Sequence, residues 1–346
     1  MANQLNKMPS EILKSYYNHI NNDIHMNGYV TEKLGNHIGF EHTRLLCQTR
    51  CMYFCLEYSN LFSDIGAYEN AITLYKMIRK KYKNNSGWLQ YPNHQQLTNL
   101  YEYSFLIFSI SKLHSIRQKD EYKTELIHLH EIIQNKFYDI DNNFNNLKDD
   151  NGLISQNALM HLYEAYLELY KAIPSKEFTI ILRDLLVSIT FLFYDQKKNL
   201  ISEYTFKPTS NKNIYEPGHT FEWCCLLNET KRLNIDINNI LDEKNLCSGA
   251  EKYGIHLRNI VLTEINNTNN RYRIWPSLER IRYYGLTKNQ KKLKSSYADF
   301  IDIFISKDTL LPIEYVNTQF TSEFIGVKTT TSYHLINSFK NLIGQV

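Results

Sequence analysis

At 346 residues, with 43% hydrophobic and 22% charged residues, the chain is long enough to bury a sizeable core and too apolar to be disordered overall. Lys plus Arg number 39 against 36 Asp plus Glu, and a formal charge of +3 gives no argument for a nucleic-acid or anionic-membrane partner. Only 12 Gly and 7 Pro, beside 26 Tyr and 17 Phe, favour long uninterrupted helices over short strands with tight turns.

In chain order, the start MANQLNKMPSEILKSYYNHI has no basic run followed by an apolar one, so no secretory signal is expected and the protein is read as cytoplasmic. Over 44–58, RLLCQTRCMYFCLEY is so densely apolar that the spacing predicts a helix buried on most sides. Cys47, Cys51 and Cys55 share one face of it. With no C-x-x-C pair and apolar flanks, they and the adjacent Cys224 and Cys225 read as small core side chains rather than metal ligands.

Further helices are predicted at 68–82, 99–115 and 122–136. In 157–170, Leu159, Leu162, Tyr163, Tyr166, Leu169 and Tyr170 form one apolar stripe. A helix is predicted over 176–194, and 178–194 within it is the longest apolar stretch of the chain. Arg183 and Asp184 near the middle make it a buried helix, not a membrane span. Helices follow at 219–233, 243–263, 276–285, 289–305 and 331–343, and strand signals are weak and scattered. Asn-rich loops at 81–88, 139–152, 207–213 and 265–272 separate them, and none has the composition of a hinge. One all-α domain over 1–346 is expected.

The stretch EPGHTFEW (216–223) concentrates chemistry. Pro217 and Gly218 turn the backbone, and the apolar spacing after them predicts a helix that starts near His219. Glu222, three residues on, shares a face with His219 and is within reach of it. A histidine held by a carboxylate is a proton-transfer part. His161 and Glu164 repeat the H-x-x-E spacing, so the two pairs together also admit a four-ligand divalent metal site. His114, His128 and His130 take the structural reading.

Five segments, RLLCQTR (44–50), QNALMHLYEAYLELY (156–170), EPGHTFEWCCLL (216–227), RIWPSLER (273–280) and TTTSYHL (329–335), resemble, in order, the signature segments of the N-acylglucosamine 2-epimerase superfamily. That group includes mannose, mannose 6-phosphate and sulfoquinovose isomerases and cellobiose 2-epimerase. The resemblance runs from about residue 40 to the C-terminus and implies an (α/α)6 barrel, six helical hairpins around a central pocket. Arg50, Tyr101, His161, Glu222, Glu279 and His334 recur at steps close to one sixth of the chain, which is consistent with one hairpin each.

The resemblance implies chemistry at C1 and C2 of an open-chain aldose, through an enediol or enediolate, with no cofactor and no metal. Such a reaction needs a base near the working pH, a donor for the carbonyl oxygen, and fixed positive charge where negative charge develops. His219 and His334 are then the acid/base pair and His161 lines the same pocket. Glu222 orients His219, and Arg50 supplies charge near O1 or O2. Tyr101, Trp223, Trp275, Glu164 and Glu279 are candidate sugar contacts or supports.

Three departures from the family wording bear on the pocket: Tyr103 stands where a histidine is frequent, and Ser277 and Leu278 replace a polar pair. The wording EPGHTFEW is closer to the mannose and mannose 6-phosphate isomerase branch than to the acylglucosamine epimerase branch. A sugar or sugar phosphate is the expected partner, with Arg273, Arg280 and Lys328 as candidate phosphate residues. A homodimer is compatible with the fold. The alternatives are an N-acylglucosamine 2-epimerase and a degenerate member that binds a sugar or a partner protein without turnover. Retention of Arg50, His219, Glu222 and His334 speaks against the last.

Overall fold

The computed structural model describes residues 2–34, 39–92, 94–138, 145–205, 213–265, 271–323 and 326–343. Parts of the Asn-rich loops expected at 139–152, 207–213 and 265–272 lie outside the described residues. The chain packs as two compact units, residues 1–97 with 255–346 and residues 98–254.

The first unit begins with α1 (Ala2–Asn27), α2 (Leu45–Phe62) and α3 (Ile65–Lys81), followed by a small antiparallel sheet of β1 (Lys83–Asn84), β2 (Gly87–Tyr91) and β3 (His94–Gln96). As its apolar density predicts, α2 is buried continuously from Leu45 to Tyr58. The helix α3 shows the other pattern: it buries Ala67, Ala71, Leu74 and Ile78 on one face and exposes charge on the other. Its start is fixed by Asp64, whose carboxylate accepts from Ala67 N at 2.9 Å. The helix α1 was not anticipated, although Ile12, Leu13, Tyr16, Ile20 and Ile24 make a fully regular buried stripe.

The second unit is a run of helical hairpins. It comprises α4 (Leu100–Ile116) with α5 (Asp120–Phe137), α6 (Gln156–Ala172) with α7 (Lys176–Phe193), and α8 (Pro217–Arg232) with α9 (Glu243–Tyr253). The two-residue pair β4 (Tyr194–Asp195) and β5 (Leu200–Ile201) leads towards α8. Side-chain acceptors cap four of these helices: Asn99, Ser155, Ser175 and Asp242. Pro217 occupies the first turn of α8, where its missing N–H costs nothing. The expected helix 243–263 stops at Tyr253, because Gly254 ends it where a side chain would collide with Pro217.

The chain then returns to the first unit with β6 (Arg271–Arg273), α10 (Ile274–Leu286), α11 (Gln290–Phe304), β7 (Tyr315–Asn317) and α12 (Ser332–Phe339). The strands β6 and β7 are antiparallel, with Arg273 opposite Tyr315. Within each unit one helix of a pair is buried nearly all round (α2, α10 and α12; α4, α6 and α8) and its partner is amphipathic. The all-round-buried helices carry Arg50, His161, His219, Glu279 and His334. Among the described residues, no helix is long and apolar enough to cross a membrane.

Candidate active site

In the second unit the chemistry centres on α8. His219 is the third residue of that helix, 7% exposed, and its Nδ1 lies 2.8 Å from Glu203 Oε1 and 3.8 Å from Glu216 Oε2. Glu203 follows β5 and is itself held by Gln156, whose Nε2 donates to it, while Gln156 Oε1 accepts from Trp223 Nε1 at 2.8 Å. Trp223, Gln156, Glu203 and His219 thus form one buried hydrogen-bonded run.

The expectation that Glu222 holds His219 is corrected by this geometry. Glu222 Oε1 stands 4.0 Å from His161 Nδ1, and the carboxylate against His219 is Glu203, sixteen residues upstream. Packing of α6 on α8 decides it: Glu222 turns towards α6, and His219, in the first turn, towards the segment after β5. Glu203 was missed because only the loop closure after β5 brings it to α8. Its one sequence signal is a lone acidic residue at the end of the apolar run LIS.

Burial by itself would push the His219 imidazole down. The Glu203 carboxylate, through both charge and hydrogen bond, together with Glu216 and Glu222, overcomes that and raises it to about 9. At neutral pH His219 is therefore an imidazolium, suited to donating a proton.

His161, on α6, is 3% exposed, and its Nδ1 meets Glu164 Oε2 at 3.2 Å. From α4, Tyr101 approaches its ring edge-on with centroids 5.0 Å apart, and Phe105 lies 4.8 Å away. Tyr103, two residues from Tyr101 and so about 200° round the helix, points instead to Phe137 and Lys136 of α5. The departure at Tyr103 thus lies on the face turned from His161.

The first unit holds a matching arrangement. His334 is the third residue of α12, 7% exposed, and its Nδ1 lies 2.6 Å from Glu279 Oε1 on α10. Glu279 is fully buried, and Arg282 Nη1 reaches its other oxygen at 3.1 Å. Expected as a sugar contact, Glu279 is thus the carboxylate of His334. The Trp275 ring flanks His334 with centroids 5.5 Å apart. Arg50, on α2, is 5% exposed. It donates to Thr330 O at 3.1 Å and lies over the Tyr333 ring, one residue from His334.

The remaining departures are structural. Ser277 Oγ accepts from Val261 N at 3.0 Å, and Leu278 is fully buried in the core, with its carbonyl taken by Ser338 of α12. Trp223 is fully buried, so it braces Gln156 and Glu203 rather than offering a ring face. His130 bridges Tyr166 and Glu177, as its structural reading expected.

Among the described residues of the second unit, two trios of ligand-type side chains converge within metal-binding reach: His161 with Glu164 and Glu222, and His219 with Glu203 and Glu216. The two H-x-x-E pairs therefore do not merge into the four-ligand set their spacing allowed. Each histidine Nδ1 instead faces a carboxylate, which orients the ring. A buried imidazole set in this way can take or give a proton at a substrate carbon or oxygen.

Solved structures resemble the whole chain. A sugar epimerase from a ruminal bacterium matches with a TM-score of 0.80 at 16% identity, covering 98% of this chain and 99% of its own. Cellobiose 2-epimerase from Bacillus thermoamylovorans matches at 0.83 and 12%, over 99% and 100%. A D-mannose isomerase matches at 0.78 and 15%, over 97% of both chains. Likeness of this extent shows the fold, all-α and of the (α/α)6-barrel class. No curated protein matches the chain. The sequence profile of N-acylglucosamine 2-epimerase (GlcNAc 2-epimerase) matches residues 32–306, most of the length, and the chain belongs to that family.

Proposed function

We propose that this protein, acting as one catalytic domain over 1–346, is a mannose-type aldose–ketose isomerase that moves a proton between C1 and C2 of an open-chain sugar. Family membership makes it an isomerase or epimerase. The observation that carries the acid/base reading is the repeated device of a buried histidine, third in its helix, with Nδ1 against a buried carboxylate: His219 with Glu203, and His334 with Glu279. The wording EPGHTFEW and the full-length likeness to a D-mannose isomerase favour the isomerase branch.

In this reading His334, as the neutral imidazole, removes the C2 proton. The imidazolium of His219 donates to the carbonyl oxygen O1, giving an enediol, and Arg50 stabilises the negative charge that develops on the way. The now neutral His219 then takes the proton of the C2 hydroxyl as His334 returns its proton to C1, which gives the ketose. His161, oriented by Glu164 and packed under Tyr101, supports the sugar hydroxyls, and Trp275 offers it a ring face. No metal or cofactor takes part in any step.

The test is to incubate the protein separately with mannose, mannose 6-phosphate, glucose and N-acetylmannosamine in D2O and follow each by proton NMR. A ketose with deuterium at the exchanged carbon is the expected product. A C2 epimer without ketose would instead indicate the 2-epimerase activity, and His219→Ala or His334→Ala should each lower turnover by about 10²- to 10⁴-fold. Unchanged turnover in both variants would sink the assignment.

A further inference from the structure

Two cations of the first unit, Arg273 and Lys328, converge on one aromatic ring, that of Tyr315. Arg273 and Tyr315 are directly opposed across β6 and β7, and the Arg273 guanidinium lies 6.0 Å from the Tyr315 ring centroid and 5.5 Å from that of Trp275. Lys328, from the segment leading into α12, places its Nζ 2.9 Å from Tyr315 Oη and 4.9 Å from the same ring. All three side chains are half-buried. Among the described residues neither cation has an acidic group within ion-pair distance, whereas the neighbouring Arg271 pairs with Glu323 and Arg282 with Glu279.

Glu314 feels the charge of both cations, and its carboxylate is engaged in holding the chain: it accepts from Lys328 N at 3.2 Å and from Thr331 Oγ1 at 2.6 Å. Burial, partly offset by Thr331, Lys328 and Arg273, raises it to about 7, so near neutral pH it cancels less than a full charge. Two partly desolvated cations are left facing the same aromatic ring. That arrangement favours an anion.

We infer that Arg273 and Lys328, over Tyr315, form an anion subsite for a phosphate group, and that the preferred substrate is a monophosphorylated aldose rather than the free sugar. The subsite rests on the isomerase reading for its link to turnover, and on geometry alone for its affinity for phosphate. Chemistry fixes where the phosphate sits on the sugar. An ester on O1 would block ring opening and leave no carbonyl, and one on O2 would block formation of the ketone, so it must lie farther along the chain. Trp275 links the two, its ring centroid 5.5 Å from the Arg273 guanidinium and 5.5 Å from the His334 ring centroid. The third cation considered from the sequence, Arg280, is 1% exposed and donates to Asn259 O at 2.6 Å, so it belongs to the scaffold.

The test has a binding arm and a kinetic arm. Inorganic phosphate, titrated against chloride at matched ionic strength, should raise the melting temperature of the wild-type protein. It should do so less for Arg273→Gln and Lys328→Gln, and more for Glu314→Gln, which removes the adjacent negative charge. In turnover, the ratio of kcat/KM for mannose 6-phosphate to that for mannose should fall about 10- to 100-fold in each cation variant, mainly through KM. Arg273→Lys should recover part of the loss. Absence of any phosphate-specific stabilisation of the wild type, or a ratio the variants leave unchanged, would overturn the subsite. If neither sugar turns over, the isomerase assignment fails while the phosphate titration still decides the subsite.

Discussion

Of the residues around the two helix-borne histidines, Glu203 governs the most. Because its carboxylate keeps His219 protonated to about pH 9, Glu203→Gln should lower the His219 pKa and move the alkaline limb of kcat/KM towards neutral pH. The change keeps the hydrogen-bonding shape and removes only charge. A pH–rate profile identical to that of the wild type would show that His219 is not the group titrating. Glu279→Gln should loosen the orientation of the His334 ring and cost about 10- to 100-fold in kcat, the usual scale for a partner that orients a reactive histidine. Tyr103→His, which restores the wording frequent in the family, should change activity by no more than about threefold, since position 103 faces Phe137 and Lys136 of α5. Arg50, His161, His219 and His334 could be singled out as candidates from the sequence because each stands in a motif. Glu203 and Gln156 were not, because their roles arise from loop closure and not from spacing along a helix.

At the scale of elements, the entry into α8 is set by a close approach. Gly254, the residue after α9, has no side chain, and a Cβ there would run into the Pro217 ring and Ala250 O. The neighbouring Gly249 similarly lies against the backbone carbonyls of Lys198 and Asn199 in the turn between β4 and β5. Gly254→Ala should therefore lower stability by about 1–3 kcal/mol and reduce kcat as well, because Pro217 opens the helix that carries His219. Chemical denaturation and kinetics on the one variant read both, and a stability loss with unaltered kcat would uncouple the packing from the histidine. Helices were readable wherever period or apolar density was strong, as in α2 and α6. The long helix expected over 243–263 failed because its pattern continues past Gly254 while the glycine contact ends the helix. The short strands β1 to β7 carry too few residues to show a period of two.

For the molecule as a whole, the ordered series of motifs carried the family and the fold class, while the pH response depends on charges that no motif reveals. Two buried groups act in the same direction. His219 has its folded pKa raised from 6.5 to about 9, so the stability gained from its ion pair is fully present below pH 6.5 and disappears as pH rises through 9. Glu314 is raised by burial from 4.5 to about 7, so ionising it in the folded state costs stability as pH rises between those values. Each effect is on the order of 3 kcal/mol. From pH 6.5 to 9 the free energy of unfolding should therefore fall, with His219 supplying most of the slope, since Glu314 has largely ionised by the middle of that range. Urea denaturation at several pH values across it measures the slope. Glu203→Gln should flatten the curve by returning His219 towards its ordinary pKa, and Glu314→Gln should raise stability more at pH 8 than at pH 5. If all three proteins gave parallel curves, neither group would hold its charge as the buried geometry requires, and the protonated state assigned to His219 in the reaction would have to be abandoned with it.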